Sequence, residues 1–492
     1  MRILIANRGE IAIRIAKTCK KLGLIPCGVF SDGDKESLHR KYCDEVINIG
    51  GYMANESYLC IDKIIDAAKK LGCEMIHPGY GFLSENEHLV KRCNKEGIVF
   101  IGPSYVAMKL SGDKVKTREI ASKVARTVEG EEVENEENAL KVAERIEYPV
   151  ILKAAEGGGG RGLRIARSSD ELINLYQISK NEAQISFGSN RIYIEKYLEN
   201  PRHIEVQILS DKENIIHLGE RECSIQRRYQ KLIEETPAPN LPDEIRQDIT
   251  FTATKIIKEI GYENAGTVEF LFKDQKFYFM ELNARIQVEH PITEEVTGID
   301  IVEQQIKIAN GEGLNIDQTD IHIKGNAIEC RINAENPLSF SPYPGKVEKF
   351  ILPQQEGIRI DTAVMGGYSI PLFYDSLIAK LICFGPNRNT AIGRMKNALQ
   401  SFRIIGIPST IPFHLSAMND KRFLEGAYNT SFIDQMKYFS PKEGEIAAAI
   451  FAIIPRKITF LKNLYQTDPW FQKTNDLDHL SNYKDNWKLI NP

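Results

Sequence analysis

The chain has 492 residues, 42% of them hydrophobic and 26% charged, and a net charge of −4. That length supports two to four packed units with a substantial core, and the near-balanced charge leaves no basic excess for nucleic acid. Nine cysteines without a Cys-x-x-Cys pair indicate reduced, mostly buried thiols in a cytoplasmic protein, and the apolar run Ile446–Pro455 is too short to span a bilayer.

The first residues, Met1-Arg-Ile-Leu-Ile-Ala-Asn7, read as a strand, so no signal peptide is expected before the fold. A helix over Glu10–Leu22, a strand at Cys27-Gly-Val-Phe30, a helix over Ile61–Lys70 and a strand at Met75-Ile-His77 follow. This βαβα rhythm predicts a doubly wound parallel sheet. The first turn, Asn7-Arg-Gly-Glu-Ile-Ala12, holds one glycine where a dinucleotide fingerprint needs three, which argues against a nicotinamide cofactor. Ala107-Met-Lys-Leu110 reads as a helix leading into Gly112-Asp-Lys114, and the acidic stretch Glu129–Glu137 as a solvated connector.

Pro149-Val-Ile-Leu-Lys153 is an apolar strand ending in a lysine. Gly157-Gly-Gly-Gly-Arg-Gly162 and a second strand, Leu163-Arg-Ile-Ala166, come next. Consecutive glycines permit positive φ and let backbone N–H groups approach an anion closely. With Lys153 and Arg161 beside them, they favour polyphosphate over a plain hairpin tip. The Walker pattern is absent, so the loop is not a P-loop; it suits a lid closing over ATP.

The stretch Glu281-Leu-Asn-Ala-Arg-Ile-Gln-Val-Glu289 alternates strictly between polar and apolar residues. If extended, it puts two carboxylates, two amides and a guanidinium on one face. Alternation alone fits a surface strand with a solvated face, but the residues upstream favour a site. Gly266–Phe272 and Lys276–Glu281 read as strands joined by a polar turn at Asp274-Gln275. A three-residue loop, Asp274–Lys276, would set Glu269 directly across from Glu281, whereas a two-residue loop would put them on opposite faces. Facing like charges destabilise a ladder unless a cation joins them. Carboxylate and amide oxygens suit Mg²⁺ or Mn²⁺, with Asn283 as a third ligand.

Lys153 with the glycine loop, Glu195-Lys-Tyr-Leu198, Glu269, Glu281 and Asn283 resemble the nucleotide and metal site of ATP-grasp enzymes. Within that superfamily five segments resemble biotin carboxylases: Ala6–Ala12, His77–Asn86, Pro201–Gln207, Glu220–Arg228 and Glu329–Glu335. The resemblance runs in order from residue 1 to about residue 440. It implies a mixed α/β and α+β fold of ATP-grasp type. Residues 1–113 would form an N-terminal Rossmann-like domain and 114–324 the ATP-grasp domain, with a mobile glycine-loop lid over about 126–198. Residues 325–445 would form the C-terminal biotin carboxylase domain, and 446–492, with Trp470 and Trp487, an extension without assigned role.

The resemblance also implies a reaction: ATP and bicarbonate give carboxyphosphate, and the carboxyl group passes to a biotin nitrogen, with two divalent ions accompanying ATP. Lys114, Lys153, Gly159 and Gly160 would contact the phosphates, and Glu195, Lys196, Tyr197 and Leu198 the adenine. His203 and Gln226 would sit around the ribose and phosphates. Lys231 would reach both the γ-phosphate and bicarbonate. Glu269, Glu281 and Asn283 would hold the metals. Arg285, Gln287 and the Val288 backbone would cradle bicarbonate, and Glu289 would deprotonate it. Arg331 would stabilise the biotin enolate, a role suited to a guanidinium that keeps its charge. Tyr80 would pack near the biotin end, if it is not simply core, and the helix Glu10–Leu22 with Arg14 resembles the dimerisation surface of the family, implying a homodimer.

Several positions depart from the family's pattern. Tyr229 replaces a frequent histidine, Glu156 and Leu163 flank the loop in place of a small residue and a methionine, Ala284 replaces Thr or Ser, and Ser122–Thr127 replaces Gly-Val-Pro. No carrier domain surrounds Ala107–Leu110, so biotin is expected on a separate carrier and carboxyltransferase chain. Length favours the biotin carboxylase component of a two-subunit pyruvate carboxylase over that of an acetyl-CoA or propionyl-CoA carboxylase. More remote alternatives are another ATP-grasp ligase and a non-catalytic ATP-binding regulator.

Overall fold

In the computed structural model, which describes residues 1–155, 163–187 and 189–436, the N-terminal third alternates strand and helix as its periodicity predicts. Its elements are β1 (Arg2–Ile5), α1 (Gly9–Lys21), β2 (Ile25–Phe30), β3 (Glu45–Asn48), α2 (Ile61–Lys70), β4 (Met75–His77), α3 (Glu87–Glu96) and β5 (Val99–Phe100). The strands form a parallel sheet in the order β3-β2-β1-β4-β5. Ile3, Leu4 and Ile5 are fully buried, because helices cover both faces of such a sheet. The sheet reverses winding between β1 and β4, where open α/β folds usually bind ligands. Here Asn7 ties the end of β1 to the segment after β4: its Nδ2 donates to the carbonyls of Pro78 (2.6 Å) and Tyr80 (2.7 Å). Gly79, at φ +63°, leaves just enough room, since a Cβ there would lie 3.0 Å from Asn7 Nδ2.

Next come α4 (Tyr105–Gly112), which carries Lys109, and α5 (Lys114–Ala121). A four-stranded antiparallel sheet with its own hydrophobic cluster follows. It comprises β6 (Gly130–Val133), α6 (Glu136–Ile146), β7 (Val150–Ala154), β8 (Arg164–Ala166), α7 (Ser169–Phe187) and β9 (Ile192–Lys196), ordered β6-β9-β7-β8. The acidic stretch Glu129–Glu137 is therefore no connector. It supplies edge strand β6 and the first turn of α6, capped by Asn135. Its charges misled because they are compensated across the fold: Glu131 pairs with Arg145 and Glu132 with Arg191. Glu156, Arg161 and the glycines Gly157–Gly160 and Gly162 lie outside the described residues, as does the 446–492 extension.

The largest element is an antiparallel sheet. It is built from β10 (Arg202–Ser210), β11 (Ile215–Arg227), β12 (Gln230–Thr236), β13 (Asn264–Lys273), β14 (Lys276–Asn283), β15 (Asn326–Asn333) and the strands Ile358–Thr362 and Leu377–Gly385. Three helices accompany it: α8 (Asp243–Ile260), α9 (His290–Thr297) and α10 (Ile301–Ala309). The order β14-β13-β10-β11-β12-β15 continues through Leu377–Gly385 to Ile358–Thr362, so residue 325 marks no break in hydrogen bonding. Ile204, Val206, Ile208, Val268 and Phe270 share one hydrophobic cluster with Ile249, Ala253, Ile256 and Ile257 of α8. The opposite face carries His203, Glu205, Gln207 and Glu269. Among the described residues no helix is long and apolar enough to cross a membrane.

Candidate active site

The hairpin of β13 and β14 turns on two residues, not three. Lys273 pairs with Lys276, and Asp274 and Gln275 both take positive φ (50° and 59°), as tight hairpins require. Continued regularly, that register would put Glu281 on the wrong face. It shifts by one residue between Phe270↔Phe279 and Glu269↔Glu281, a bulge at Met280 that restores the facing carboxylates. Glu269 also faces Glu205, and Glu205 faces Arg221. One row across β14, β13, β10 and β11 thus reads Glu281, Glu269, Glu205, Arg221. The next reads Asn283, Thr267, Gln207. Three carboxylates in line with an amide oxygen beside them are hard donors fitted to a divalent cation. His203, Glu205 and Glu269 also present ligand atoms within 4.8 Å of one another.

Lys231 ties this row to Glu289. Its ammonium donates to Glu205 Oε2 (2.5 Å), Glu269 Oε1 (2.8 Å) and Glu289 Oε1 (2.8 Å). Burial disfavours the charged amine, yet the three carboxylates hold its pKa well above the ordinary lysine value. His203 Nε2 lies 3.1 Å from Glu269 Oε2, and Gln287 Nε2 donates to Glu269 Oε1 at 3.1 Å. Glu289 is fully buried. Burial would raise its pKa, but Lys231, Arg331 and Arg221 outweigh that and hold it well below the carboxylate range. Arg331 Nη2 donates to Glu289 Oε2 at 2.9 Å and lies 2.6 Å from Glu234 Oε1.

The alternating stretch is extended only as far as Asn283. Residues 284–289 form a loop, and Glu289 is the N-cap position of α9. Arg285, Gln287 and Glu289 converge without strand geometry because side chains hold the loop. Glu85 accepts from Arg285 Nε (2.8 Å) and from the Ala284 N–H (3.0 Å). Arg285 in turn donates to Gln287 Oε1 (2.8 Å) and Asn283 Oδ1 (3.0 Å). Lys380, fully buried, donates to the Val288 carbonyl at 3.0 Å and pairs with Glu10 at 3.1 Å. Tyr80 donates to the same Glu10, so its hydroxyl is tied to α1.

At the other end of the row, Lys114 Nζ lies 3.6 Å from Glu281. Lys153 and Arg118 both pair with Glu195. Burial raises the Glu195 pKa, but these two cations bring it below the ordinary value. Lys196 donates to the carbonyls of Glu147 and Tyr148 (3.1 Å each), and Tyr197 and Leu198 are half-buried at the end of β9. Gln226 Nε2 approaches His203 Nδ1 at 3.4 Å. Tyr229 sits, 42% exposed, in the two-residue turn between β11 and β12, where it and Arg228 have positive φ. Arg14 is not on the free face of α1: it is buried against Glu294 (2.7 Å) and Asp300 (2.6 Å).

Sequence reasoning named Lys231, Glu269, Gln287, Glu289 and Arg331, and the fold brings them together. It missed Glu85, Glu205, Arg221, Glu234, Glu329 and Lys380. A signal existed for some. His203, Glu205 and Gln207 alternate with apolar residues just as the 281–289 stretch does, and Lys380 interrupts the apolar run Leu377–Cys383. Glu85, Glu205, Arg221 and Glu329 also lie within the segments that resemble the family, whereas Glu234 carries no mark.

Three family profiles match the chain: biotin carboxylase, N-terminal domain, over residues 1–108; carbamoyl-phosphate synthase L chain, ATP binding domain, over 113–317; and biotin carboxylase C-terminal domain over 329–435. A pyruvate carboxylase subunit of Methanothermobacter thermautotrophicus is 49% identical over 442 residues, 89% of this chain and 90% of that one. Biotin carboxylase 1 of Bacillus subtilis is 48% identical over 440 residues, covering 88% and 98%. A solved structure of the biotin carboxylase domain dimer of Hydrogenobacter thermophilus 2-oxoglutarate carboxylase, in complex with MgADP, ADP and bicarbonate, superposes with a TM-score of 0.87 at 45% identity, covering 89% of this chain and 99% of that one.

Proposed function

Because the chain belongs to the biotin carboxylase family of the ATP-grasp superfamily, we propose that it is the biotin-carboxylating subunit of a two-subunit pyruvate carboxylase. It uses ATP and bicarbonate to carboxylate biotin, with Mg²⁺ or Mn²⁺ as the metal and with biotin presented by a separate carrier and carboxyltransferase chain. The observation that carries this reading is Lys231. One ammonium touches Glu269, on the proposed metal side, and Glu289, the proposed base.

Glu269, Glu281 and Asn283 hold the divalent ions, which neutralise charge on the β- and γ-phosphates when bound. Lys114, Lys153, His203 and Gln226 surround the phosphates and ribose, together with Gly159 and Gly160 of the glycine loop. Glu195 to Leu198 hold the adenine. Arg285, Gln287 and the Val288 N–H orient bicarbonate beside Glu289. Lys231 and Arg331 hold the Glu289 pKa down, which makes it a weak base at rest. As Lys231 turns to the γ-phosphate and bicarbonate, and Arg331 to the ureido oxygen of biotin, that hold loosens and Glu289 gains basicity where it is needed. Arg331 places a permanent positive charge where the ureido oxygen becomes negative.

Residues 1–113, 114–324 and 325–445 serve as the three functional domains, with 126–198 as the lid, in a cytoplasmic homodimer. Pyruvate as the final acceptor is supported by the M. thermautotrophicus relative, which, like this chain, has about a tenth of its length outside the match, whereas the B. subtilis protein is matched over 98%. Acetyl-CoA, propionyl-CoA and 2-oxoglutarate are the competing acceptors. The test is bicarbonate-dependent ATP cleavage with and without free biotin; cleavage indifferent to bicarbonate would overturn the assignment. Reconstitution with the carrier and carboxyltransferase chain, supplied with each acceptor in turn, decides among the acceptors.

A further inference from the structure

Glu234 and Glu329 have no part in the reaction just described. They face each other directly across β12 and β15, and both are fully buried. Among the described residues no hydrogen-bond donor reaches either oxygen of Glu329. The Glu234 carboxylate lies 2.6 Å from Arg331 Nη2, the nitrogen that also bonds Glu289. Two ionised carboxylates opposed on a ladder repel, and a proton held by one of them relieves the repulsion, as in paired catalytic aspartates.

We propose that Glu234 and Glu329 form a one-proton carboxyl pair behind Arg331, with Glu329 keeping the proton and Glu234 the charge. Arg331 then meets a single anion from the sheet. When Glu289 accepts the bicarbonate proton, Arg331 loses one of its two counter-charges and is free to serve the ureido oxygen. Were Glu329 ionised as well, Arg331 would still face two anions after Glu289 is protonated. Glu234 and Glu329 are positioning residues in this scheme, which rests on the roles assigned above to Arg331 and Glu289.

The surroundings agree. Burial lifts Glu234 to about 7 against the pull of Arg331, and lifts Glu329 well above the carboxylate range despite Lys380. The charged and titratable groups facing the pair are Arg331 on β15, Lys231 on β12, Lys380 on the strand Leu377–Gly385, Glu289 before α9, and Tyr80 from the N-terminal unit. His414, on the helix Ile411–Asn419, bonds the Arg331 carbonyl and is kept neutral by burial, and burial likewise holds the thiols of Cys223 on β11 and Cys330 on β15, which sense the same carboxylates, in the neutral form.

The test is infrared difference spectroscopy of the full chain against Glu329→Gln at neutral pH, combined with pH profiles of biotin carboxylation. We expect a deuterium-sensitive carboxylic-acid carbonyl band in the wild type that E329Q lacks. We also expect an alkaline limb in the wild-type profile that moves up by about one pH unit or vanishes in E329Q, whose amide cannot ionise. No carbonyl band, or the same limb in both proteins, overturns the proposal. Glu234→Gln gives a second reading if E329Q does not fold. With its neighbour's charge gone, Glu329 takes up the negative charge beside Arg331 and its band is lost; persistence of the band would mean that burial alone holds the proton, and refutes the pair. Bicarbonate-dependent ATP cleavage by the wild type, followed in the same samples, tests the biotin carboxylase reaction separately, so failure of that reading is distinguishable from failure of the pair.

Discussion

Replacing Glu289 with Gln isolates the proposed base with little change of shape. A positioned general base contributes about 10²–10⁴-fold, or ~3–5 kcal/mol of barrier. Carboxylation should fall by that factor. Breaking a buried ion pair costs about 3–5 kcal/mol of stability when it strands a charge. Here neither partner is stranded, because Lys231 keeps Glu205 and Glu269 while Arg331 keeps Glu234. The loss of stability should therefore stay below ~3 kcal/mol, and ATP affinity should change less than about threefold, ~0.7 kcal/mol. Carboxylation is read from bicarbonate-dependent ATP cleavage with free biotin, nucleotide affinity by calorimetry, and stability from urea unfolding. Carboxylation within tenfold of wild type, or a loss of nucleotide binding parallel to the loss of rate, would refute the reasoning and make Glu289 a structural or metal-side group.

Replacing Glu281 with Gln should leave the hairpin and its bulge in place and remove one carboxylate from the row that faces Glu269. Mn²⁺ affinity, followed by the electron paramagnetic resonance of free Mn²⁺, should then drop at least about tenfold, ~1.4 kcal/mol; unchanged affinity would mean that Glu281 is not a ligand. Arg331→Gln should reduce carboxylation of free biotin by about 10²-fold or more, a size typical of removing one charge-stabilising donor, while keeping most nucleotide affinity. A matching drop in nucleotide affinity would contradict its assignment to biotin. Burial lowers His39 and His414 to about 4 and His77 to about 3, so all three fold in the neutral form. Their folded values lie below the unfolded value, so the stability they contribute is complete above about pH 6.5 and shrinks as pH falls, by ~1.4 kcal/mol per unit for each. A melting temperature that stays level from about pH 7 down to pH 5 would contradict this.

Local pattern made much of the protein legible. Strand and helix periods marked the parallel sheet, with its order β3-β2-β1-β4-β5. Residue pattern also marked Glu269, Gln287 and Glu289, because buried chemistry needs polar side chains that an apolar strand would otherwise exclude, while Lys231 and Arg331 were marked by the resemblance to biotin carboxylases. Two points that the sequence left open were decided for one reason. The loop of the β13–β14 hairpin and the end of β14 depend on how strands register against one another, and register is not a local property. Alternation could not show a bulge at Met280, nor that Glu85 would bend residues 284–289 into a loop. Likewise, the acidic stretch Glu129–Glu137 became a strand because Arg145 and Arg191 neutralise it from elsewhere in the fold. Sequence alone determined which residues carry charge and which stretches can be buried. Tertiary structure decided which charges meet, since the alignment of Glu281, Glu269 and Glu205, the ammonium that joins them to Glu289, and the facing of Glu234 with Glu329 all arise from strands distant in the chain and adjacent in one sheet.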